Sequence, residues 1–245
     1  MNVVATIEAR MTSSRLPGKV MLPAAGTPML SHLILRLQAV PSLTGIMLAT
    51  TTNSEDDILV SVAEDHGIMV HRGSENDVLG RVAQAAKSAS ADVIVGITAD
   101  CPVIDPDLVE QTIRFFMANG VDYASNSRVR SFPDGMDTNV VRAGVLVIAA
   151  EESTSADDRE HTFLFIGRNS DRFSQAVLVA PPSLHWPGLG LTLDEQSDYE
   201  LLRALIEDLS PTDPLFGCGD IIQHLKSNPD LQKINQAVQR RNPAP

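Results

Sequence analysis

The chain reads as an α/β protein, a single domain of three layers, α/β/α, around a mainly parallel sheet. Three observations predict this. Short apolar, β-branched runs alternate with amphipathic stretches of helical period from residue 2 to about 120. The run Asp92-Val93-Ile94-Val95-Gly96-Ile97 is apolar almost throughout, as in a strand covered on both faces. Finally, 245 residues can build one substantial core, and no internal repeat or break in composition divides them.

Residues 2–7, Asn-Val-Val-Ala-Thr-Ile, read as a buried first strand. A long loop follows, and then a helix with Leu30, Leu33, Ile34 and Leu37 on one face, for which Thr27 suits the N-cap and Pro28 the first position. A second strand is expected over 45–50. A helix capped by Asn53 or Ser54 runs to about His66, where Gly67 stops it. A short strand at 68–70 and a helix over 77–88 precede the central strand at 92–97. Asp105-Pro106 opens the next helix and Gly120 ends it. Such a β-α-β-α order predicts parallel strands with right-handed crossovers.

Beyond residue 122 the rhythm loosens. Short strands are expected at 122–125, 138–141, 174–180 and near 190–193. Helices are expected at 159–168 and 196–208, with a C-terminal helical extension over 209–245 holding further helices at 217–226 and 230–239. Residues 143–150 are ambiguous in period, and 240–245 are expected to fray.

The bulk properties exclude several classes. A net charge of −12 and a pI near 4.8 are wrong for a protein that neutralises the phosphates of a duplex. Cys101 and Cys218 have neither CxxC spacing nor clustered histidines, so no disulfide framework or zinc site is indicated, and Cys101 reads as a small buried filler. No basic leader precedes the first strand, and no apolar run reaches the ~18 residues of a membrane span. The expectation is a soluble, cytoplasmic protein.

Chemistry concentrates in Glu8-Ala9-Arg10-Met11-Thr12-Ser13-Ser14-Arg15-Leu16-Pro17-Gly18-Lys19, the loop leaving the first strand. In so acidic a chain, Arg10, Arg15 and Lys19 crowd into one loop at the carboxyl end of a strand, which suits a polyphosphate site; the alternative is a solvated basic loop. It is not a Walker loop, because Ser13 stands at the first glycine position and Val20 follows Lys19, and it has no Gly-x-Gly-x-x-Gly turn. Asp100, directly after the central strand, faces the crevice where open α/β sheets bind ligands; its alternative is a turn hydrogen bond. Asp194 is either a second functional carboxylate or the N-cap of the helix beginning near Gln196, where Asp198 supplies a first-turn acid. Ser74 and Asp77 either touch a ligand or cap a helix.

The loop resembles the nucleotide loop of the CMP-sugar-acid cytidylyltransferases, the group of the 3-deoxy-manno-octulosonate and acylneuraminate enzymes. The nearest likeness is to the branch typified by the spore-coat polysaccharide protein SpsF. Matching pieces are Ala49-Thr50-Thr51-Thr52-Asn53, residues 72–79, Thr98-Ala99-Asp100-Cys101-Pro102-Val103-Ile104-Asp105, residues 132–137, Arg159-Glu160-His161-Thr162 and Leu193-Asp194. The likeness runs from residue 1 to about 207.

It implies a Rossmann-like fold of the nucleotide-diphospho-sugar transferase type and a helix over 143–150. It implies transfer of CMP from CTP to a sugar acid or related polyol for surface polysaccharide, with release of pyrophosphate. By position, Asp100 and Asp194 would hold Mg²⁺, Lys19, Arg10 and Arg15 the phosphates, the Ala9 backbone and Arg10 the base, and Ser74 and Asp77 the base or ribose. Asp134, Gly135 and Asp137, with Arg159, Glu160 and His161, would border the acceptor pocket. Arg159 is expected either to clamp an acceptor carboxylate or to pair with Asp157 or Asp158, and His161 to act as a base or to hydrogen-bond at a helix start. Homodimers are common in the group, with residues 122–142 as the segment expected to reach the partner.

Two positions depart from the pattern. Glu8 replaces a usual Pro or Gln and puts a negative charge beside the phosphates. Ala99 replaces a usual Gly, which would be strained at positive φ. Two other readings stay open. Asp105-Pro106-Asp107 matches the Asp-x-Asp motif of a nucleotide-sugar glycosyltransferase but is also an ordinary helix start. A non-catalytic nucleotide-binding protein is the other.

Overall fold

The computed structural model describes residues 1–240. Four strands follow the predicted alternation: β1 (Val3–Glu8), β4 (Gly45–Thr51), β5 (Met69–Gly73) and β6 (Val93–Thr98), all mutually parallel. The sheet continues through β8 (Asn139–Arg142), which is antiparallel to β6, then β7 (Tyr123–Ser125) and β9 (Gln175–Val177), giving the order β5-β4-β1-β6-β8-β7-β9.

Strand β1 holds the centre because it is apolar in both directions. Val3, Ala5 and Ile7 join the layer of α1 (Met29–Gln38), α2 (Asp57–Asp65) and α4 (Pro106–Asn119). Val4 packs on the other side with α3 (Val78–Ser88) and α5 (Ala143–Glu152). The ambiguous 143–150 stretch is therefore helical, and its apolar positions lie against the sheet. A third cluster gathers α8 (Gln196–Leu209), α9 (Cys218–Ser227) and the segments around Phe132 and Leu191.

The chain passes from β1 outward to β4 and β5, then returns to β6 on the opposite side of β1. The carboxyl ends of β1 and β6 thus form a topological switch point, where such sheets leave a crevice.

Several expectations are corrected. Thr27 does not cap α1. Thr27–Pro28 (β3) pairs with Pro23–Ala24 (β2) around Ala25 and Gly26, whose φ values of 47° and 77° make a tight primed-type turn, and Pro28 takes the N-cap position. The helix expected over 159–168 is two short helices, α6 (Ala156–Glu160) and α7 (Leu164–Arg168), broken at His161. The strand near 190–193 is reduced to one bridge between Asp134 and Gly190. The last expected helix shortens to α10 (Pro229–Gln232), and Arg240 is bonded rather than frayed; 241–245 lie outside the described residues. Residues 123–125 and 139–142 of the supposed partner-reaching segment belong to the chain's own sheet.

Candidate active site

The cationic loop is shaped by its own backbone. Met11 carbonyl accepts from Ser13 N (3.0 Å) and Gly18 N (2.9 Å), and Gly18 sits at φ 70°, a conformation glycine adopts without steric cost. Asp56 anchors the loop from below. Its carboxylate accepts from Met11 N (2.7 Å) and from the hydroxyls of Thr50 (3.0 Å) and Thr51 (2.5 Å). Burial alone would push this carboxyl up, but the hydrogen bonds outweigh it and hold it below its ordinary value.

The loop delivers Lys19 into a nearly closed position, 7% exposed, on a 3₁₀ turn. Its Nζ lies 2.7 Å from Asp100 Oδ1 and 3.3 Å from Asp194 Oδ1, and Arg15 Nη2 lies 2.6 Å from the same Asp194 oxygen. The two acid-bearing segments are also joined through the backbone, where Leu193 N donates to Asp100 O (2.8 Å). Burial raises the Asp100 carboxyl against the pull of Lys19. Residues 179 and 175 positions apart in sequence thus meet at the switch point.

The helix N-cap that rivalled a functional role for Asp194 is occupied by Glu195, and Asp194 is left facing the two cations. Ala99 carries no strain, because Ala25 and Ser90 are the non-glycine residues at positive φ among those described. Asp105 is a helix cap: Oδ1 accepts from Asp107 N (2.8 Å) and Leu108 N, and Oδ2 from Cys218 N (2.8 Å). That geometry answers the Asp-x-Asp reading with the ordinary helix start. No group of three or more metal-type side chains converges among the described residues. Two carboxylates around one cationic position nevertheless suit a hard ion that keeps several waters and takes phosphate oxygens.

The other residues expected on the nucleotide side are placed apart from Lys19. Arg10 turns to Glu75 (3.3 Å), which also accepts from Thr12 (2.5 Å) and Asn53 (2.8 Å). Ala9 is buried, its N–H directed at Ala49 O. Ser74 offers its carbonyl to Arg81 while its side chain is exposed. Asp77 caps α3 through Gly80 N (2.9 Å), as the capping alternative had it. Arg159 pairs with Asp77 (3.2 Å) and donates to Ser153 O, which is neither of the arrangements expected of it.

A cavity of about 420 Å³ opens beside this cluster, on the α3/α5 face. Glu8 and Thr98, register partners on β1 and β6, line it together with Asp137, Glu160 and His161. Asp137 is held by Arg130 (2.8 and 2.9 Å), which also pairs with Asp134 (3.2 Å), and burial pushes the Asp137 carboxyl up to about 6. Asp134 and Gly135 serve the wall rather than its surface. Gly135 has φ 107°, and a Cβ there would come within 2.6 Å of the Leu191 backbone. Glu8 lines the cavity and accepts from Thr162 (2.9 Å), and burial there pushes its carboxyl up to about 7. Phe163 lies over Gly96 and stacks on Tyr123.

Sequence reasoning missed Asp56 and Glu75, the loop anchors, and Arg128, Arg130 and Asn139 along the cavity. Asp56 had a local signal, an acid at a helix start just after three threonines. The others are assembled only by tertiary structure.

The sequence profile of the family described as cytidylyltransferase matches residues 4–210. The chain belongs to the cytidylyltransferase family. This cytidylyltransferase is 30% identical over 241 residues to the spore coat polysaccharide biosynthesis protein SpsF of Bacillus subtilis, covering 96% of this chain and 99% of that one. Over 144 residues it is 32% identical to a 3-deoxy-manno-octulosonate cytidylyltransferase of Trichlorobacter lovleyi, covering 58% of this chain and 56% of that protein. A solved cytidylyltransferase from Leptospira borgpetersenii superposes with a TM-score of 0.90 at 30% identity, covering 99% of this chain and all of that one. The enzyme class and fold expected from the loop are therefore correct. Among the described residues, no helix is long and apolar enough to cross a membrane.

Proposed function

We propose that this cytidylyltransferase moves CMP from CTP to a sugar acid or related polyol with release of pyrophosphate, in surface polysaccharide synthesis. The observation that carries the reading is the convergence of Lys19, Arg15, Asp100 and Asp194 at the switch point, beside a cavity of acceptor size. The reacting phosphate is anionic and repels a nucleophile until its charge is screened. Lys19 supplies a compact positive charge from a buried position, and Arg15 a second one from the rim. Arg10 and the Ala9 backbone lie on the side where the base would rest.

Asp100 and Asp194 are the residues that would hold Mg²⁺. Bound there, the ion would screen the phosphates and stabilise the leaving pyrophosphate. In the free chain Lys19 and Arg15 together balance the charge of the two carboxylates. The acceptor enters the cavity past Glu160 and His161, with Asp137 and the Arg130 guanidinium directing its polar groups. Ser74 and Asp77 serve the loop framework, and we assign homodimerisation through the exposed parts of 122–142 to the same scheme.

The test is pyrophosphate release with each of the four nucleoside triphosphates and Mg²⁺, against a panel of sugar acids, sugars and polyol phosphates. Release with CTP and one acceptor class is the expected result. Absence of Mg²⁺-dependent CTP binding by calorimetry would overturn the reading. Light scattering tests the dimer.

A further inference from the structure

Asp194 is oriented from behind by Thr192 and Asp198, which are in turn held by Asn235 and Arg240, two residues beyond the family match at 4–210. Asp198, in the first turn of α8, is fully buried. Its Oδ2 accepts from Asp194 N (3.2 Å) and Glu195 N (3.0 Å), and its Oδ1 accepts from Asn235 Nδ2 (2.8 Å) and Arg240 Nη2 (2.7 Å). Asn235, itself 6% exposed, also donates to Gly190 O (3.0 Å). The other end of the guanidinium, Nη1, reaches Thr192 Oγ1 at 2.5 Å.

The direction of that last contact matters. A guanidinium has donors and no acceptor, so Thr192 Oγ1 accepts from Arg240. The hydroxyl hydrogen is then left to donate to Asp194 Oδ2, 3.2 Å away. With Oδ2 held from behind, Oδ1 is the oxygen that faces Lys19 and Arg15. Gly190 makes room for the arrangement, since a Cβ there would fall on the Arg240 guanidinium.

We propose that Arg240 is a positioning residue for the Asp194 carboxylate, acting through Thr192, with Asn235 and Asp198 fixing the guanidinium in place. The relay Arg240–Thr192–Asp194 selects which carboxylate oxygen is presented to the phosphate side. Outer partners of metal-binding carboxylates commonly change metal affinity by about 10–100-fold when removed. The inference rests on the assignment of Asp194 as an ion-holding residue in the proposed function.

The experiment is a Mg²⁺ titration of CTP binding by calorimetry on the full chain, with Thr192→Val and Arg240→Gln variants. Thr192→Val removes the relay hydroxyl and leaves the Arg240–Asp198 pair, so it carries the test even if Arg240→Gln folds poorly. The expected result is a ~10-fold or greater rise in the Mg²⁺ midpoint for both variants. Thr192→Val should keep the wild-type urea midpoint in EDTA, a combination that loss of structural stability alone would not give. An unchanged Mg²⁺ midpoint in Thr192→Val, with wild type binding normally, overturns the relay and leaves the functional reading intact. Absence of Mg²⁺-dependent CTP binding in wild type overturns both.

Discussion

Lys19 and Asp100 form an asymmetric ion pair, 2.7 Å apart, in which the lysine side chain is 8% exposed and the aspartate 35%. The cation is fixed within the fold and the carboxylate is its outward neighbour. Lys19→Met keeps the length of the stem but leaves Asp100 without its counter-charge. Pyrophosphate release should fall by about a hundredfold or more, the usual effect of losing one charge-stabilising contact in a transition state. Stability at pH 7 should fall by ~1–2 kcal/mol, a value discounted for the exposure of Asp100. Part of that loss should be regained toward acid pH, where Asp100 becomes neutral. Urea denaturation at several pH values measures this.

Glu8 gives a pH dependence of defined sign. Its carboxyl is raised from 4.5 to about 7 by burial, so the folded state binds the proton more tightly than the unfolded chain. The stabilisation linked to this proton is full below pH 4.5 and is lost as pH rises through 7. Glu8→Gln, which keeps the shape and can still accept from Thr162, should be more stable than wild type by ~3 kcal/mol at pH 8. That advantage should shrink as pH falls toward 4.5. Equal pH slopes for the two proteins would refute the assignment.

Asp56 predicts a coupled loss of stability and ligand binding. Asp56→Asn keeps one acceptor oxygen but gives up the charge-assisted bonds to Met11 N, Thr50 and Thr51. A cost of ~1–3 kcal/mol is expected, with weaker CTP binding because the cationic loop loses its anchor. Calorimetry and denaturation on the same variant would show both effects.

Gly96 is predicted to be intolerant of enlargement. A Cβ there would run into the Phe163 ring, which is stacked on Tyr123 with centroids 5.9 Å apart. Gly96→Ala should cost ~1–3 kcal/mol by overpacking. It should also raise the KM for acceptor more than that for CTP, because Phe163 adjoins Thr162 and the cavity. Steady-state kinetics against each substrate would separate the two.

The thiols should be silent in the native state. Cys101 and Cys218 are 2% and 0% exposed, and burial pushes both above the ordinary thiol range. A chromogenic disulfide reagent should titrate neither until the chain unfolds, and Cys101→Ser should retain turnover.

The sheet and the cationic loop were legible because their signals are local. Apolar runs, cap residues and a loop of three cations each declare themselves within a dozen residues. The place of Asp100 followed from the end of β6, whereas the strand expected before Asp194 is only a bridge at Gly190. What escaped depends on distant partners. Thr27 has the chemistry of a cap, yet pairing with Ala24 around Ala25-Gly26 took precedence. Arg159 has the chemistry of an anion clamp, yet α3 brings Asp77 to it. Asp198 looks like a surface first-turn acid until Asn235 and Arg240 cover it. No window of sequence contains those meetings.

The central place of β1 also bears on synthesis. Val3 to Glu8 pair in register with Val93 to Thr98, so one flank of β1 has no neighbour until β6 has been translated. Through that interval a six-residue β-branched segment has an open edge, the kind of surface that nucleates aggregation. The strand order that creates the crevice at the switch point thus also leaves the central strand half-paired until the middle of the sheet has been made.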